Sequence, residues 1–297
     1  HATVGVVGES GCGKSVTSLS MMQLLQRPSG QVVGGEIRFN KGDGTAYNIV
    51  NTPNEVMEHI RGNKISYIFQ EPMTSLNPVF KIGYQIEEVL MLHQGMSKEE
   101  ARKSAIQALD MVRIPNPERI VDEYPFALSG GMRQRVMIAM ALACSPKLLI
   151  ADEPTTALDV TIQAQVLDLM NNLKKEIDTS IIFITHDLSV IAEMADRVMV
   201  MYAGKVVELA DVNTIFENPL HPYTRGLIGS RPDMSTNSSR LNVIPGNVPD
   251  LSDLPEGCSF NPRCDKVCEM CHHGIPELVE VEPGHFVRCY VTGGKSE

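Results

Sequence analysis

The chain has 297 residues, of which 43% are hydrophobic, with a formal net charge of -10 and a pI of about 5.3. This composition can bury a core, and an acidic chain without a Lys/Arg-rich block argues against nucleic acid as a partner. No run of 18 apolar residues predicts a membrane span, and the start of the sequence lacks a secretory signal, so we expect a cytosolic location.

The first predicted element is a short buried strand, followed by a glycine-rich loop and a helix over residues 14–25. The β-type runs of the first third cover residues 3–7, 36–40, 46–50 and 64–69. The segment 77–142 is mostly helical in pattern, which predicts an inserted helical subdomain. Later apolar strands cover residues 148–151, 180–185 and 197–202. Helical segments separate them, including one over 160–177 with an apolar stripe, and this alternation predicts an α/β fold around a parallel sheet covered on both faces.

The composition changes after Pro219, where proline, glycine, asparagine and serine interrupt any long element. We therefore predict a boundary near Ser230, with one domain over 1–230 and a C-terminal region over 231–297. Five of the seven cysteines lie in the final forty residues, namely Cys258, Cys264, Cys268, Cys271 and Cys289. In a reducing compartment such a cluster indicates a metal before it indicates disulfides.

Residues 8–15 read GESGCGKS, a complete phosphate-binding loop between a strand and a helix. Its glycines allow consecutive backbone N–H groups to surround phosphates at a helix N-terminus. Lys14 is expected to reach the β- and γ-phosphates, and Ser15 to offer its hydroxyl to Mg²⁺. The predicted nucleotide contacts of this segment are Gly8, Ser10, Gly11, Gly13, Lys14, Ser15 and Val16.

A second candidate lies after residues 148–151, an apolar strand that ends in Asp152 and Glu153. A parallel sheet presents ligand-binding groups at the carboxyl ends of its strands. Asp152 is expected to hold Mg²⁺ through water, and Glu153 to polarise the attacking water as catalytic base. Such an acidic pair is weak evidence alone, because strands commonly end in polar turns, and the phosphate loop upstream gives it weight.

A Ser-Gly-Gly turn at Ser129, Gly130 and Gly131 opens a helix that we expect to run to about residue 143. A helix N-terminus of this kind is a second anion-binding site, although a simple N-cap is the alternative interpretation. One nucleotide has no use for two such sites. A dimer does, if the Ser129 turn of each subunit caps the γ-phosphate held by the loop of the other.

These motifs together resemble the ABC transporter ATPase family, whose signature matches residues 128–134. Gln70 matches the family's loop glutamine, Asp159 its D-loop and His186 its switch histidine. The resemblance implies a P-loop NTPase fold: a RecA-like parallel sheet core with an antiparallel β part, an inserted helical signature subdomain and a Cys-rich C-terminal tail. It also implies that ATP and Mg²⁺ bind, that Gln70 contacts Mg²⁺ and responds to the membrane subunit, and that His186 contacts the γ-phosphate. Glu153, His186 and Lys14 then form the implied catalytic set.

Several C-terminal segments narrow the resemblance to the oligopeptide, dipeptide and nickel importers. These segments are NPLHPYT at 218–224, IPG at 244–246, GCSFNPRC at 257–264 and PGHFVRC at 283–289. The resemblance implies an ATPase subunit that energises uptake of dipeptides or oligopeptides from the cytoplasmic face of an inner membrane. Its implied partners are a homologous ATPase subunit in a homo- or heterodimer, two permease subunits contacted near residues 70–78 and, indirectly, an extracytoplasmic peptide-binding protein.

Within that group the cysteines recur as C-x5-C-x6-C with a distant fourth, a pattern that Cys258, Cys264, Cys271 and Cys289 reproduce and Cys268 does not. Four thiolates can hold zinc or an iron–sulfur cluster. The resemblance favours a 4Fe-4S cluster, with a zinc site or plain buried thiols as alternatives.

Three other interpretations stay open at this point. The chain could serve a nickel or other small-solute importer, or it could be a soluble ABC ATPase that clamps nucleic acid, which the missing basic patch disfavours. A third interpretation makes the C-terminal region a redox or metal sensor that gates an ordinary transporter ATPase.

One departure from the family concerns the N-terminus. ABC ATPases normally begin with antiparallel strands that carry an adenine-stacking aromatic residue, whereas this sequence starts seven residues before Gly8. We therefore expect reduced ATP affinity and an exposed sheet edge.

Overall fold

The computed structural model of the protein describes residues 2–42, 44–70, 75–156, 158–176, 178–230 and 244–293. The α-helices are Lys14–Met21 (α1), Asn54–Ile60 (α2), Ile82–Gln94 (α3), Lys98–Met111 (α4), Pro117–Ile120 (α5), Gly130–Leu142 (α6), Val160–Glu176 (α7), Leu188–Met194 (α8), Val212–Glu217 (α9), Pro222–Gly229 (α10) and Met270–His273 (α11). The strands are Thr3–Val7 (β1), Arg38–Asn40 (β2), Ala46–Asn48 (β3), Ile65–Ile68 (β4), Leu148–Asp152 (β5), Ser180–Ile184 (β6), Arg197–Tyr202 (β7), Lys205–Asp211 (β8), Val279–Glu282 (β9) and His285–Val287 (β10). Short 3₁₀ helices lie at Ile49–Asn51, Pro125–Ala127 and Asn261–Arg263.

The chain divides into two compact units. Unit I covers Ser15–Ile182, and unit II combines Ala2–Lys14 with Phe183–Glu297. The predicted boundary near Ser230 stays a prediction, because residues 231–243 lie outside the described part of the chain. In the described ranges, no helix has both the length and the apolar character that a bilayer crossing requires.

Unit I joins a parallel strand pair to a group of helices. Strands β4 and β5 pair in parallel, with Ile65 opposite Leu148 and Ile68 opposite Ala151. Both strands therefore end at the same edge, which places the residues that follow them side by side. The segment predicted to be helical contains α3 to α6. Its core consists of fully buried side chains, among them Ile82, Ile86, Leu90, Leu109 and Ile138.

Helix α4 shows how local sequence sets an element's limits. Ser97 caps it by accepting a hydrogen bond from the Glu100 amide, and the Glu100 carboxylate accepts one from the Ser97 amide in return. Helix α1 is shorter than the sequence indicated, since it ends at Met21 and not near residue 25. Gln23 turns the chain with φ of 51°, and its side chain donates to the carbonyl oxygens of Ile49 and Thr52. These tertiary contacts end the helix before its apolar pattern stops.

Unit II is built on a mixed sheet. Strand β1 pairs in parallel with β7, from Val4 opposite Arg197 to Val7 opposite Val200. Strands β8, β10 and β9 then follow in antiparallel order. The sequence did not predict these three strands, because β9 and β10 are short and flank a Pro-Gly turn in a region that reads as irregular. The end of the cysteine-rich region thus extends the sheet that carries β1.

A fully buried carboxylate holds the C-terminal elements of unit II together. Glu208 on β8 is 0% exposed and accepts hydrogen bonds from the amides of Leu220 and His221 at 2.7 and 2.9 Å. His285 on β10 lies 2.8 Å from the same carboxylate through Nε2. His221 is itself buried, which lowers its pKa to about 3, and its Nδ1 accepts from the Tyr223 amide, so the ring is neutral. A buried carboxylate with several partners fixes β8, β10 and the start of α10 to one another.

Candidate functional site

The phosphate loop lies in unit II between β1 and α1. Gly8 has φ of 156°, and a Cβ added there would come within 2.3 Å of the Met201 carbonyl oxygen, so only glycine fits. Gly11 and Gly13 have φ of 81° and 96°, in the left-handed region that glycine tolerates. The Gly204 amide donates to the Cys12 carbonyl oxygen at 2.9 Å and fixes the loop against the turn after β7.

Lys14 lies folded over this loop and is only 7% exposed. Its Nζ donates to the carbonyl oxygens of Gly8 and Glu9 at 2.8 and 3.1 Å. Beside it, burial raises the pKa of the Cys12 thiol, which stays neutral. Ser10 and Gly11 of the loop, which the sequence also assigned to the nucleotide, are exposed. Val16, the third such residue, is an exposed residue of unit I.

Asp152 and Ser15 belong to unit I. There the hydroxyl of a tyrosine connects α1 to the end of β5. The Tyr67 hydroxyl donates to Asp152 Oδ2 at 2.8 Å and lies 2.9 Å from the Ser18 hydroxyl on α1, whose own partner is the Ser15 carbonyl oxygen. Burial raises the pKa of Tyr67, so it remains a neutral donor. The sequence analysis missed Tyr67 and Ser18, although Tyr67 lies on the strand that leads to Gln70.

The second carboxylate oxygen of Asp152 indicates whether this position is suited to bind magnesium. Asp152 is 5% exposed, and its buried Oδ1 has no hydrogen-bond partner among the described residues. A buried carboxylate oxygen without a partner is costly unless a cation or a metal-bound water completes it. The donor set is hard oxygen, which is the type that Mg²⁺ prefers. Asp152 therefore fits the predicted role of magnesium ligand through water.

Glu153 adopts a strained backbone conformation with φ of 46°, immediately after β5. Its Oε2 accepts hydrogen bonds from Gln70 Nε2 and from the Thr156 hydroxyl, each at 2.9 Å. The parallel register of β4 and β5 explains the first contact, since Gln70 and Glu153 each follow the end of one strand. Two residues that the sequence singled out separately thus meet, and Thr156 joins them without any signal in the sequence.

The Ser129 turn opens α6 in unit I. The Ser129 hydroxyl accepts from the Met132 amide at 3.3 Å, as an N-cap does. The two glycines differ: a Cβ on Gly131 would lie 2.6 Å from Ile162 Cγ2, whereas a Cβ on Gly130 would meet no atom within 4 Å. Asp159 in turn accepts from the Ile162 amide at 3.0 Å. Gly131 is therefore required by packing inside the chain, and Gly130 faces open space.

His186 lies in unit II, directly after β6, and is exposed. The backbone around it is fixed, because the Asp187 amide donates to the Thr185 hydroxyl and Asp187 caps α8 through the Ser189 amide at 2.7 Å. Two other predicted segments lie in part outside the described residues, namely Ala157 of the D-loop and residues 71–74 of the loop assigned to permease contact.

The structure does not support the metal site predicted at the C-terminal cysteines. Within the described ranges, no three His, Cys, Asp or Glu side chains are arranged to hold a metal, so the set of Cys258, Cys264, Cys271 and Cys289 is not supported as a site. Cys271 instead contacts Cys268, the thiol outside that set, with 3.5 Å between sulfur atoms. Burial raises the pKa values of Cys258, Cys264 and Cys271. Burial therefore disfavours the thiolate form of these three side chains.

Comparisons with known proteins agree with this geometry. Residues 1–156 match the ABC transporter family. The chain belongs to the ABC transporter ATPase family. Residues 207–271 of this ABC ATPase match a second family, described as the oligopeptide/dipeptide transporter C-terminal region.

Individual relatives of this ABC ATPase cover almost its whole length. The oligopeptide transport ATP-binding protein AppD of Bacillus subtilis is 55% identical over 97% of this chain and 87% of its own. OppD of Salmonella typhimurium is 49% identical over 97% of this chain and 84% of its own. Among solved structures, a dimeric ATP-binding cassette in a post-hydrolysis state with ADP and Pi aligns with a TM-score of 0.60 and 30% identity over 71% of this chain and 85% of that one. The P-loop fold and the ATP-hydrolysing activity predicted from the motifs are confirmed, and ATP and Mg²⁺ are the expected nucleotide and metal ion of this ABC ATPase.

Proposed function

We propose that this ABC ATPase energises the import of dipeptides or oligopeptides across an inner membrane. The observation that carries the proposal is the match of residues 207–271 to the oligopeptide/dipeptide transporter C-terminal region, together with relatives named for oligopeptide transport. In unit II the C-terminal elements are bonded through Glu208 to the sheet that carries β1, so this region is an integral part of the ATPase.

The described side chains suit distinct steps of ATP hydrolysis. The amides of the phosphate loop and Lys14 bind the β- and γ-phosphates, because N–H groups and an ammonium complement their charge. Asp152, oriented by Tyr67, would hold Mg²⁺ through water, and a bound ion there would supply positive charge beside the phosphates. Glu153 accepts the proton of the attacking water, positioned by Gln70 and Thr156. His186 contacts the γ-phosphate.

The Ser129 turn supports assembly as a dimer. Gly130 faces open space at the N-terminus of α6, where amides remain available to an anion from another subunit. We propose that two ATPase subunits, this one with a copy of itself or a homologue, close head to tail on two nucleotides, with Ser129 and Asp159 facing the partner. Two permease subunits and, indirectly, a peptide-binding protein complete the importer at the cytoplasmic face of the membrane.

Reconstituted transport tests this function. The chain is combined with its two permease subunits and peptide-binding protein in proteoliposomes, with MgATP on the ATPase side, and uptake of labelled di- and oligopeptides is measured beside that of nickel. We expect ATP-dependent peptide uptake that the Glu153→Gln variant abolishes. Uptake of nickel and not of peptide would refute the proposed cargo, and ATP hydrolysis that no solute stimulates would refute the transport role.

A metal at the C-terminal cysteines stays a prediction that the arrangement of the thiols does not support. The predicted metal is a 4Fe-4S cluster, or alternatively zinc, bound by Cys258, Cys264, Cys271 and Cys289. Iron, zinc and sulfide analysis of anaerobically purified protein tests it. A preparation free of iron and zinc that keeps full MgATPase activity would exclude a requirement for a metal at the cysteines. Equal ATPase rates before and after iron or zinc is removed from a loaded preparation would exclude the sensor interpretation.

A further inference from the structure

Within unit II, an arginine of the cysteine-rich region reaches the phosphate loop. Arg263 ends the short helix Asn261–Arg263, and its side chain is 4% exposed. Its Nη1 and Nη2 donate to the two carboxylate oxygens of Glu9 at 2.8 and 3.1 Å. Glu9 is the second residue of the phosphate loop. A bidentate pair of this kind fixes direction as well as distance, which a lysine would not do.

The guanidinium is held from several sides. Its Nε donates to the Pro245 carbonyl oxygen at 2.8 Å, and Nη2 and Nη1 lie 3.4 Å from the Ile244 carbonyl oxygen and the Tyr202 hydroxyl. Burial of an arginine this deep is tolerated because its donors have acceptors. The Arg263 guanidinium is therefore held in the orientation that bonds both carboxylate oxygens of Glu9.

The rest of Glu9 is also restrained. Its amide donates to the Tyr223 hydroxyl on α10 at 2.9 Å, and its carbonyl oxygen accepts from Lys14 Nζ at 3.1 Å. Tyr223 is fully buried and packs with Tyr202 and Phe260, with ring centroids 4.7 and 5.4 Å away. Side chain, amide and carbonyl of one loop residue are thus each bonded, two of them to residues beyond 220 and one to the phosphate-binding lysine.

We infer that Arg263 is a positioning residue for the phosphate loop, through which the C-terminal region sets the affinity of this ATPase for nucleotide. Arg263 orients Glu9, and Glu9 in turn holds Lys14 by its carbonyl oxygen. The loop amides must already face the phosphates when the nucleotide arrives, since ordering them on binding would lower the affinity. The inference rests on nucleotide binding by the loop and is independent of the transported solute.

The cysteine-rich segment is hydrogen-bonded to the short helix Asn261–Arg263 that carries Arg263. Asn261 donates through its side-chain amide to the Cys271 carbonyl oxygen at 3.1 Å, and the Cys258 amide donates to that oxygen at 2.8 Å. Arg263 itself precedes Cys264 in the chain. The fold of the cysteine segment therefore determines where the guanidinium points.

The test compares MgATP affinity and turnover in the full chain. The variants are Arg263→Met, Glu9→Gln and their combination, with Arg225→Met as matched control, because exposed Arg225 lies in the same unit and donates to the Pro219 carbonyl oxygen. Calorimetric titration with MgATP gives Kd, and steady-state hydrolysis gives KM and kcat. We expect Kd and KM to rise about tenfold to a hundredfold in Arg263→Met, with kcat within about twofold, since hydrogen bonds to charged groups are the strong ones. Arg225→Met should have the same Kd, KM and kcat as the unaltered chain.

The double variant distinguishes an effect that acts through the Arg263–Glu9 contact from a nonspecific disturbance of the fold. If both residues act through one contact, the combination weakens MgATP binding no more than the single change does. Additive effects, or an unchanged Kd in folded Arg263→Met, would overturn the inference. Should Arg263→Met fail to fold, the Kd of Glu9→Gln for MgATP tests the inference instead. This change keeps the shape of the loop and alters only the acceptor of the Arg263 hydrogen bonds. An unaltered chain that binds no MgATP would instead refute the nucleotide site itself.

Discussion

Replacing Tyr67 with phenylalanine removes one hydroxyl that serves two partners in unit I. Its bond to Asp152 Oδ2 is 2.8 Å long, and Asp152 Oδ1 already lacks a partner among the described residues. The variant therefore leaves a carboxylate that is 5% exposed without a bond on either oxygen. A hydrogen bond to a charged group contributes about 1.5–3 kcal/mol. Ser18 keeps its hydrogen bond to the Ser15 carbonyl oxygen, so losing its contact with Tyr67 adds little to the loss of stability. We expect a loss of about 2 kcal/mol in the free energy of unfolding.

In the proposed magnesium site the same hydroxyl orients Asp152, so ATPase activity should change as well. Loss of a group that orients a metal ligand typically weakens metal affinity or activity by about 10–100-fold. Urea unfolding of Tyr67→Phe measures the first effect, and ATP hydrolysis as a function of Mg²⁺ concentration measures the second. Tyr84→Phe is the matched control, since Tyr84 is 44% exposed and stacks on Phe80. A Tyr67→Phe chain with unchanged stability and an unchanged magnesium requirement would refute the role that the structure gives this hydroxyl.

Further predictions concern the base, the signature glycines and one buried histidine. Glu153→Gln should bind MgATP normally in titrations yet hydrolyse it about 10²–10⁴-fold more slowly, and an undiminished rate would remove Glu153 from the role of base. Gly131→Ala should lower stability by about 1–3 kcal/mol in thermal or urea unfolding, because its Cβ would overlap Ile162, whereas Gly130→Ala should unfold normally and weaken only ATP-driven dimerisation, measured by light scattering. The buried His221 has its pKa lowered to about 3, so the unfolded chain takes up a proton below pH 6.5 that the folded chain does not. Its stability contribution is thus complete above pH 6.5 and declines as the pH falls toward 3, by about 2 kcal/mol between pH 7 and pH 5, and His221→Asn should flatten that slope in urea unfolding.

Local features of the fold were predictable because they depend on neighbouring residues. The glycine loop needs positive φ at Gly11 and Gly13, and the strand before Asp152 is an apolar run, so both appear in the sequence as they do in the structure. Strand β7 was predicted with its observed bounds, Arg197–Tyr202. The ends of α1 and the existence of β8, β9 and β10 were not predictable, because they depend on contacts made by segments far away in the chain.

The sequence by itself predicted the chemistry of this protein: phosphate binding at Gly8–Ser15, carboxylates for magnesium and water at the end of β5, and a second anion-binding turn at Ser129. Each of these signals spans a few residues, so local backbone geometry suffices to encode it. The tertiary structure alone decided which residues support that chemistry. Tyr67 reaches Asp152 across 85 positions and Arg263 reaches Glu9 across 254. Such pairs depend on how strands and turns pack, and no periodicity or motif within one segment encodes that packing.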